Sequence, residues 1–455
     1  MRTLDAKRFH IGRRVHPYMR KYAFTIFTIF TNNAPFLAQN SEFTNFRNPS
    51  SSSTAARGCA GERQMGVGGG EAPRDEGGGG EWVFRSEGAS CEAFASTSAP
   101  VVVALRSKRR RPDRDACDVA LEREIWGSDA EIHEHLAARD WFTRYIKASL
   151  PAPASAAVVV GRLRRIALGG APPALALELP DVTQGAWALE LKPKAATIPG
   201  PGAVMRASTA PLKTRYSRYF LQQRAKLASG RIRRISAYEP ADLFAPEASR
   251  KRRALHALLA DPQNNLTVWQ GGRRVSLPAG FSAEDVAHWG AAALTAEQPT
   301  LDAILALQRR DTLGIEGIAH LYARLALRPP SGGGGEPDAA FAAATRTLDA
   351  MPREAAVAAL RDYLIACSAK DCSVVVAFSQ AEPGVRGGAT DEEGGEGTPF
   401  HRMHVIDLDL KPLWKVPLHA KQDASILEHA HRWLLENAST DAEAGKEGEA
   451  IVVLN

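Results

Sequence analysis

Apolar and polar positions divide the 455-residue chain into three regimes. Over residues 1–80 no period is sustained. Residues 22–30 are apolar but interrupted by threonine, and far too few to cross a bilayer as a helix. The serine run at 50–53 and the glycine clusters at 68–70 and 77–80 cannot bury enough apolar surface to fold. From Glu81 the pattern turns to short apolar runs. Residues 82–84 and 101–105 read as two strands of a hairpin around a turn-rich segment, and residues 157–160, 176–179 and 187–191 as further strands. Between them, Ile125, Trp126, Ile132, Leu136, Trp141 and Tyr145 recur at helical spacing and predict a helix over 121–150.

Beyond Lys194 helical spacing dominates, at residues 212–227, 249–259, 282–294, 301–309 and 353–366. Two short strands follow, 372–378 and 403–408, separated by a Gly/Glu-rich loop at 382–398. Residues 331–335 read as a second flexible insertion, and residues from Asn437 as a frayed end. A β-rich part followed by a mostly helical one predicts an α+β, two-lobed body. The division is an extension at 1–80, an N-lobe at 81–186, a larger C-lobe at 187–440 and a tail at 441–455.

Composition changes this picture little. Apolar residues make up 44% of the chain and charged residues 24%, ordinary values that allow a sizeable core. The formal charge of +6 suits an anionic partner, whether nucleic acid, membrane surface or a polyphosphorylated small molecule. Five cysteines, Cys59, Cys91, Cys117, Cys367 and Cys372, form no CxxC pair, which argues against a disulfide scaffold and for a reducing compartment. The basic first 21 residues fit an organelle transit segment, and equally an unstructured extension.

Candidate chemistry lies in four places. In Glu190-Leu191-Lys192-Pro193-Lys194, residues two apart on a strand share a face, so Lys192 and Lys194 can point the same way and clamp a phosphate. A solvated strand end reads as easily from this pentapeptide alone. In residues 213–226, Arg218, Gln222 and Lys226 fall on one helical stripe, suited to anion binding. Asn264 and Asn265 stand at a helix-to-strand junction, where asparagine tolerates left-handed backbone and offers amides to hydroxyls or phosphates; plain turn chemistry fits equally. Asp371 opens one late strand and Asp407 closes the other. One carboxylate can orient or deprotonate an attacking hydroxyl while the other holds a metal on nucleotide phosphates, with Lys411 supplying charge near the transferring group.

Taken in order, ELKPK (190–194), LKTRYSRYFLQQRAK (212–226), YEPADLF (238–244), DPQNN (261–265), LGIEG (313–317), AKDCS (369–373) and DLDLKP (407–412) resemble the inositol-pentakisphosphate 2-kinase family over residues 81–427. The resemblance implies a two-lobed fold distantly like protein kinases. It implies ATP and Mg²⁺, and transfer to the axial 2-hydroxyl of inositol 1,3,4,5,6-pentakisphosphate to give the hexakisphosphate, phytate. Carried over by motif, Asp371 is the catalytic base and Asp407 the metal ligand, with Asp371 beside the same ion. Lys192, Lys194, Arg218, Lys226, Asn264, Lys411 and Lys415 hold substrate phosphates, with Asn265 close by and Arg111 reaching in from the basic run. Gly88, in a reduced glycine loop, Arg106, Glu190 and Asp407 face the nucleotide.

Several positions depart from the family pattern. Gln222 stands where a histidine is usual, Thr267 where an arginine is common, and His419 replaces a tyrosine. His320 remains of a plant-type zinc site, but Arg328-Pro329-Pro330-Ser331 replaces the expected Cys-x-x-Cys, so structural zinc is expected to be absent. The hinge at 178–181 lacks the familiar asparagine. The implied protein is a monomer of the cytoplasm, the nucleus or both, without a membrane span and without nucleic acid as partner. The degraded glycine loop and hinge leave open a binding protein of the same fold without catalysis. Basic charge and the run at 108–111 alone suggest a nucleic-acid binder.

Overall fold

The structure is a computed structural model, and it describes residues 82–87, 91–106, 115–127, 135–166, 173–328, 338–379 and 400–443. The extension at 1–80, Gly88, Arg111 and the expected insertions at 331–335 and 382–398 lie outside the described residues.

Two five-stranded antiparallel sheets organise the chain. The first contains β1 (Trp82–Glu87), β2 (Cys91–Ser96), β3 (Val101–Arg106), β4 (Arg162–Ile166) and β5 (Ala174–Pro180), ordered β1-β2-β3-β5-β4. The hairpin expected between 82–84 and 101–105 does not form, because β2 lies between those strands and pairs with both. Its sequence, CEAFAS, lacks the β-branched residues that usually announce a strand. The strand β4 is masked in the same way by its charges: Arg162 and Arg164 reach across to Glu178 of β5 at 2.9 and 2.6 Å.

The single helix expected over 121–150 is two, α1 (Ala116–Trp126) and α2 (His135–Ser149). Gly127 ends α1 at φ 90°, a backbone state costly for any residue with a Cβ, and donates its N–H to the Arg123 carbonyl. The Trp126 ring meets Trp141, Phe142 and Tyr145 edge-on at 5.5–5.9 Å, and with Leu121, Ile125 and Ile146 it joins the large core around the second sheet. At residues 157–160 a strand was expected. The chain instead forms the short helix α3 (Ala154–Ala157), followed by one isolated bridge from Val158 to Val405.

The second sheet contains β6 (Trp187–Leu191), β7 (Leu266–Gln270), β8 (Arg273–Val275), β9 (Ser373–Phe378) and β10 (His401–Ile406), ordered β10-β9-β6-β7-β8. The central strand β6 is buried at every position, which is why its apolar run is legible without alternation. Trp187 stacks on Phe378 of β9 at 3.8 Å between ring centroids.

Among the described residues, ten further helices follow: α4 (Ala210–Arg215), α5 (Arg218–Ala228), α6 (Pro240–Phe244), α7 (Ala248–Ala260), α8 (Ala283–Ala296), α9 (Gln298–Gln308), α10 (Gly314–Leu325), α11 (Ala339–Asp349), α12 (Arg353–Ala369) and α13 (Val416–Glu443). The expected continuous helix over 212–227 breaks at Tyr216, where Ser217 turns extended and caps α5 by accepting from the Phe220 N–H at 3.1 Å. Fraying from Asn437 is not observed, since α13 continues to Glu443. The α+β architecture expected from the sequence is the one found. Among the described residues, no helix is long and apolar enough to cross a membrane.

Candidate active site

At the end of β6 the chain leaves the sheet carrying its two lysines. The Lys192 N–H donates to the Asn265 carbonyl at 2.8 Å, and Lys194 adopts the left-handed region at φ 63°. That turn is locked from both sides. The Tyr238 hydroxyl donates to the Pro193 carbonyl, and the Gln308 amide to the Lys194 carbonyl, each at 2.9 Å. The two ammonium groups therefore converge by a strained turn rather than by the strand alternation expected from the sequence. Burial lowers the Lys194 pKa to about 8. Asp371 opposes that fall, and Lys192, Lys226 and Lys411 reinforce it. Three of these lysines, Lys192, Lys194 and Lys411, act on the one carboxylate of Asp371.

That carboxylate stands in the turn between α12 and β9. The Lys411 ammonium donates to Asp371 Oδ2 at 2.6 Å. Burial alone pushes the Asp371 pKa up, but Lys411, Lys194 and Lys192 overcome it and hold the group well below the usual carboxylate range. Lys411 is displaced the other way: burial lowers it, and Asp371 and Asp409 more than restore it.

At the same end of β9, Asp407 directly follows β10, left-handed at φ 67° and 5% exposed. Ser373 Oγ donates to Asp407 Oδ2 at 3.2 Å, while Oδ1 is buried without a hydrogen bond and has Arg139 Nη2 at 3.7 Å. Burial, resisted by Lys192 and Arg139, raises the Asp407 pKa well above the ordinary value. Arg139, from α2, also meets Asp409 at 2.9 Å. It thereby ties the DLDLKP segment to α2, a helix that connects β3 to β4 of the first sheet. No sequence signal pointed to Arg139, because its partners lie far along the chain. Asp409 was legible only as the second acid of its motif.

Glu190 sits under this floor, 3% exposed, accepting from Trp269 Nε1 at 3.1 Å. Burial raises its pKa to about 7 against the pull of Lys192. Asn265 is likewise interior: its amide donates to the Tyr219 hydroxyl at 2.9 Å. Asn264 is half-buried beside it. The left-handed residue of this turn is neither asparagine but Gln263, at φ 43°, held by paired amide contacts with Gln223 at 2.9 and 3.1 Å.

Lys226, near the end of α5, has its pKa lowered by burial and by Arg231. Arg218, at the start of α5, is paired with Asp423 of α13. Lys415 lies at the start of α13, against the Trp414 ring at 5.6 Å. His419 follows one turn later, its Nδ1 3.0 Å from the Tyr363 hydroxyl. Burial drives its pKa down to about 3, helped by Lys415, Arg218 and Lys411 and opposed by Asp371. These side chains therefore share one electrostatic neighbourhood with the Asp371 turn.

The structure brings Lys192, Lys194, Arg218, Lys226, Asp371, Asp407, Lys411 and Lys415 into one electrostatic neighbourhood beside the second sheet. Of the expected nucleotide-side residues, Glu190 is buried on β6 and Arg106 ends β3 of the other sheet. Gly88 and Arg111 fall outside the described residues. Magnesium with nucleotide phosphates needs only one or two carboxylates. The buried Asp407 Oδ1, without a hydrogen bond, together with Asp371, fits such an ion. Among the described residues, no group of three acids, histidines or cysteines could form an all-protein metal cage. His320 is engaged by Asp349 at 2.7 Å.

A sequence model of the inositol-pentakisphosphate 2-kinase family matches residues 93–425. An inositol-pentakisphosphate 2-kinase of Arabidopsis thaliana is 30% identical over 276 residues, covering 54% of this chain and 59% of that one. Its counterpart in Oryza sativa subsp. japonica is 26% identical over 266 residues, 53% of this chain and 59% of that one. One from Danio rerio is 37% identical over 97 residues, 21% of this chain and 18% of the other. The chain thus spans about three fifths of the length of the plant relatives. The family match over most of the chain gives one conclusion: the chain belongs to the inositol-pentakisphosphate 2-kinase family.

Proposed function

We propose that the protein is an ATP-dependent kinase that phosphorylates the 2-hydroxyl of inositol 1,3,4,5,6-pentakisphosphate, giving the hexakisphosphate. The observation that carries this reading is Asp371 enclosed by Lys192, Lys194 and Lys411, one strand away from Asp407. Burial lowers the pKa of Lys194, and the neighbouring Lys192, Lys226 and Lys411 repel its charge further. A ligand with five phosphates relieves that repulsion and gains charge-assisted hydrogen bonds in a site largely shielded from water.

In this reading Lys192, Lys194, Lys226, Arg218 and Lys415 grip phosphates, Asn264 lines the same wall, and the Asn265 amide supports it from behind. Asp371 orients the attacking hydroxyl. Its depressed pKa makes it a weak base in the free protein, and a bound polyanion that draws the lysines away raises its basicity. Phosphoryl transfer has a loose transition state that asks more for alignment than for a strong base. Lys411 stays beside Asp371 and faces the transferring group. Asp407, with Asp371 beside it, would hold Mg²⁺, which supplies neutralisation of the nucleotide's phosphate oxygens when bound. Arg139 fixes the backbone that presents Asp407. The nucleotide lies toward the first sheet, near Arg106, above Glu190. The free thiols of Cys117, Cys367 and Cys372 fit the reducing cytoplasm or nucleus.

The test is ADP release by the full chain with ATP and Mg²⁺, with and without the pentakisphosphate. Release that requires the pentakisphosphate is expected. Tight binding of it without any ADP would reduce the protein to an inositol phosphate binder.

A further inference from the structure

The LGIEG motif touches none of the acids or lysines described above, yet it anchors a chain of charges that ends at the cleft. Gly314 takes φ 69° and opens α10, which places Glu316 against the start of α4. Glu316 accepts from the Arg206 N–H at 2.8 Å, the Thr209 hydroxyl at 2.7 Å and the Lys213 ammonium at 2.6 Å. Lys213 in turn reaches Asp423 Oδ2 of α13 at 2.7 Å, and Asp423 Oδ1 takes the Arg218 guanidinium. Two acids and two bases alternate, and the Arg206 guanidinium adds a further cation 3.9 Å from Glu316 at the inner end. The inner members of the alternating chain are about 10% exposed or a little more, whereas the Arg218 side chain is 41% exposed. One end is buried and the other is open.

Resting on the proposed inositol phosphate site, we infer that Asp423 is a positioning residue: backed by Lys213 and Glu316, it fixes the Arg218 guanidinium at the cleft for a substrate phosphate. A guanidinium has five donors in a rigid fork, so one edge can hold Asp423 while another remains for a phosphate. Fixing the side chain beforehand removes rotamer entropy that binding would otherwise cost. An opposing effect exists, because Asp423 is itself an anion near a polyanionic ligand. It is shared between two cations, however, and positioning outweighs that repulsion.

The experiment is calorimetric titration of the full chain with inositol 1,3,4,5,6-pentakisphosphate, for wild type, Asp423→Asn, Arg218→Gln and the double variant, with Tm measured for each. We expect Asp423→Asn to weaken binding about tenfold at nearly unchanged kcat. The double variant should bind no worse than Arg218→Gln alone, a non-additivity that a merely structural ion pair would not produce. Equal or tighter binding by Asp423→Asn, or additive losses in the double variant, overturns the inference. Should Asp423→Asn not fold, Arg218→Lys carries the test, since it keeps the charge but loses the fork. Weaker binding at unchanged Tm is then expected, and wild-type affinity overturns the inference. A wild-type chain that binds no inositol phosphate overturns the reading of the cleft and this inference with it. Wild-type binding matched by the variants overturns this inference alone.

Discussion

The two sheets of this protein are built to different standards. One face of the second sheet joins a continuous core that runs from Leu189 and Val376 through the helices to Tyr322 and Leu364, and the other face carries a small cluster of Ala188, Trp269 and Val375. The first sheet rests on a small separate cluster, Ala93, Ala95, Val102, Ala104, Leu136 and Leu177, half of it alanine. Chemistry follows the same division. The lysine-ringed Asp371 and the buried Asp407 stand on ends of the well-packed sheet, where neighbouring strands fix their separation. Of the expected nucleotide residues, Arg106 ends β3 of the lightly packed sheet, whereas Glu190 lies on β6 and Asp407 directly follows β10 of the other. A precise charge arrangement needs a rigid support, and a smaller core opens at lower free energy. The molecule therefore concentrates its exacting geometry on the side proposed to bind substrate.

Replacing the acid itself should give the largest effect. Asp371→Ala is expected to cut turnover by about 10²–10⁴-fold while leaving binding of the pentakisphosphate largely intact, as separate kinetic and calorimetric measurements would reveal. Near-wild-type turnover would remove Asp371 from its assigned role.

Packing comes next. Leu189→Ala in the large core should cost about 2–5 kcal/mol of global stability. Leu177→Ala in the small cluster should cost less in global unfolding and act mainly by loosening the first sheet. Hydrogen exchange resolved along the chain distinguishes the two, and equal global losses would erase the contrast between the sheets.

The clamp follows. Lys192→Ala and Lys194→Ala should each raise KM for the pentakisphosphate by a loss of about 1.5–3 kcal/mol, with kcat less affected. The smallest effect is a pH dependence. Lys194 titrates near 8, below its ordinary 10.5, so its charge in the free protein is present below pH 8 and lost above it. KM should therefore rise between pH 7 and pH 9, by a few-fold. Lys194→Arg, charged throughout, should flatten that rise. A rise of the same size in the variant would mean that another group titrates.

The same division governs what could be read from the sequence. The strand at Trp187–Leu191 was legible because a strand buried on both faces is a plain apolar run. Strands β2 and β4 were not, because CEAFAS and RLRRI draw their stability from alanine packing and from Arg–Glu pairs across strands, which a linear pattern does not record. The convergence of Lys192 and Lys194 was legible, but its cause was not: a left-handed turn held by Tyr238 and Gln308 does what strand alternation was expected to do. Arg139, Lys213 and Asp423 left no trace in the sequence reading, because their roles exist only through partners 103 to 270 positions away. The short motifs survived as signals because each keeps its essential residues within a few positions.

The account rests on the claim that the lysine-ringed Asp371 directs phosphoryl transfer to one hydroxyl. The direct measurement is identification of the product formed from ATP, Mg²⁺ and inositol 1,3,4,5,6-pentakisphosphate by the purified full chain. The account predicts inositol hexakisphosphate in a one-to-one ratio with ADP, the new phosphate at the 2-position. ADP without hexakisphosphate, or a product phosphorylated elsewhere, would contradict it.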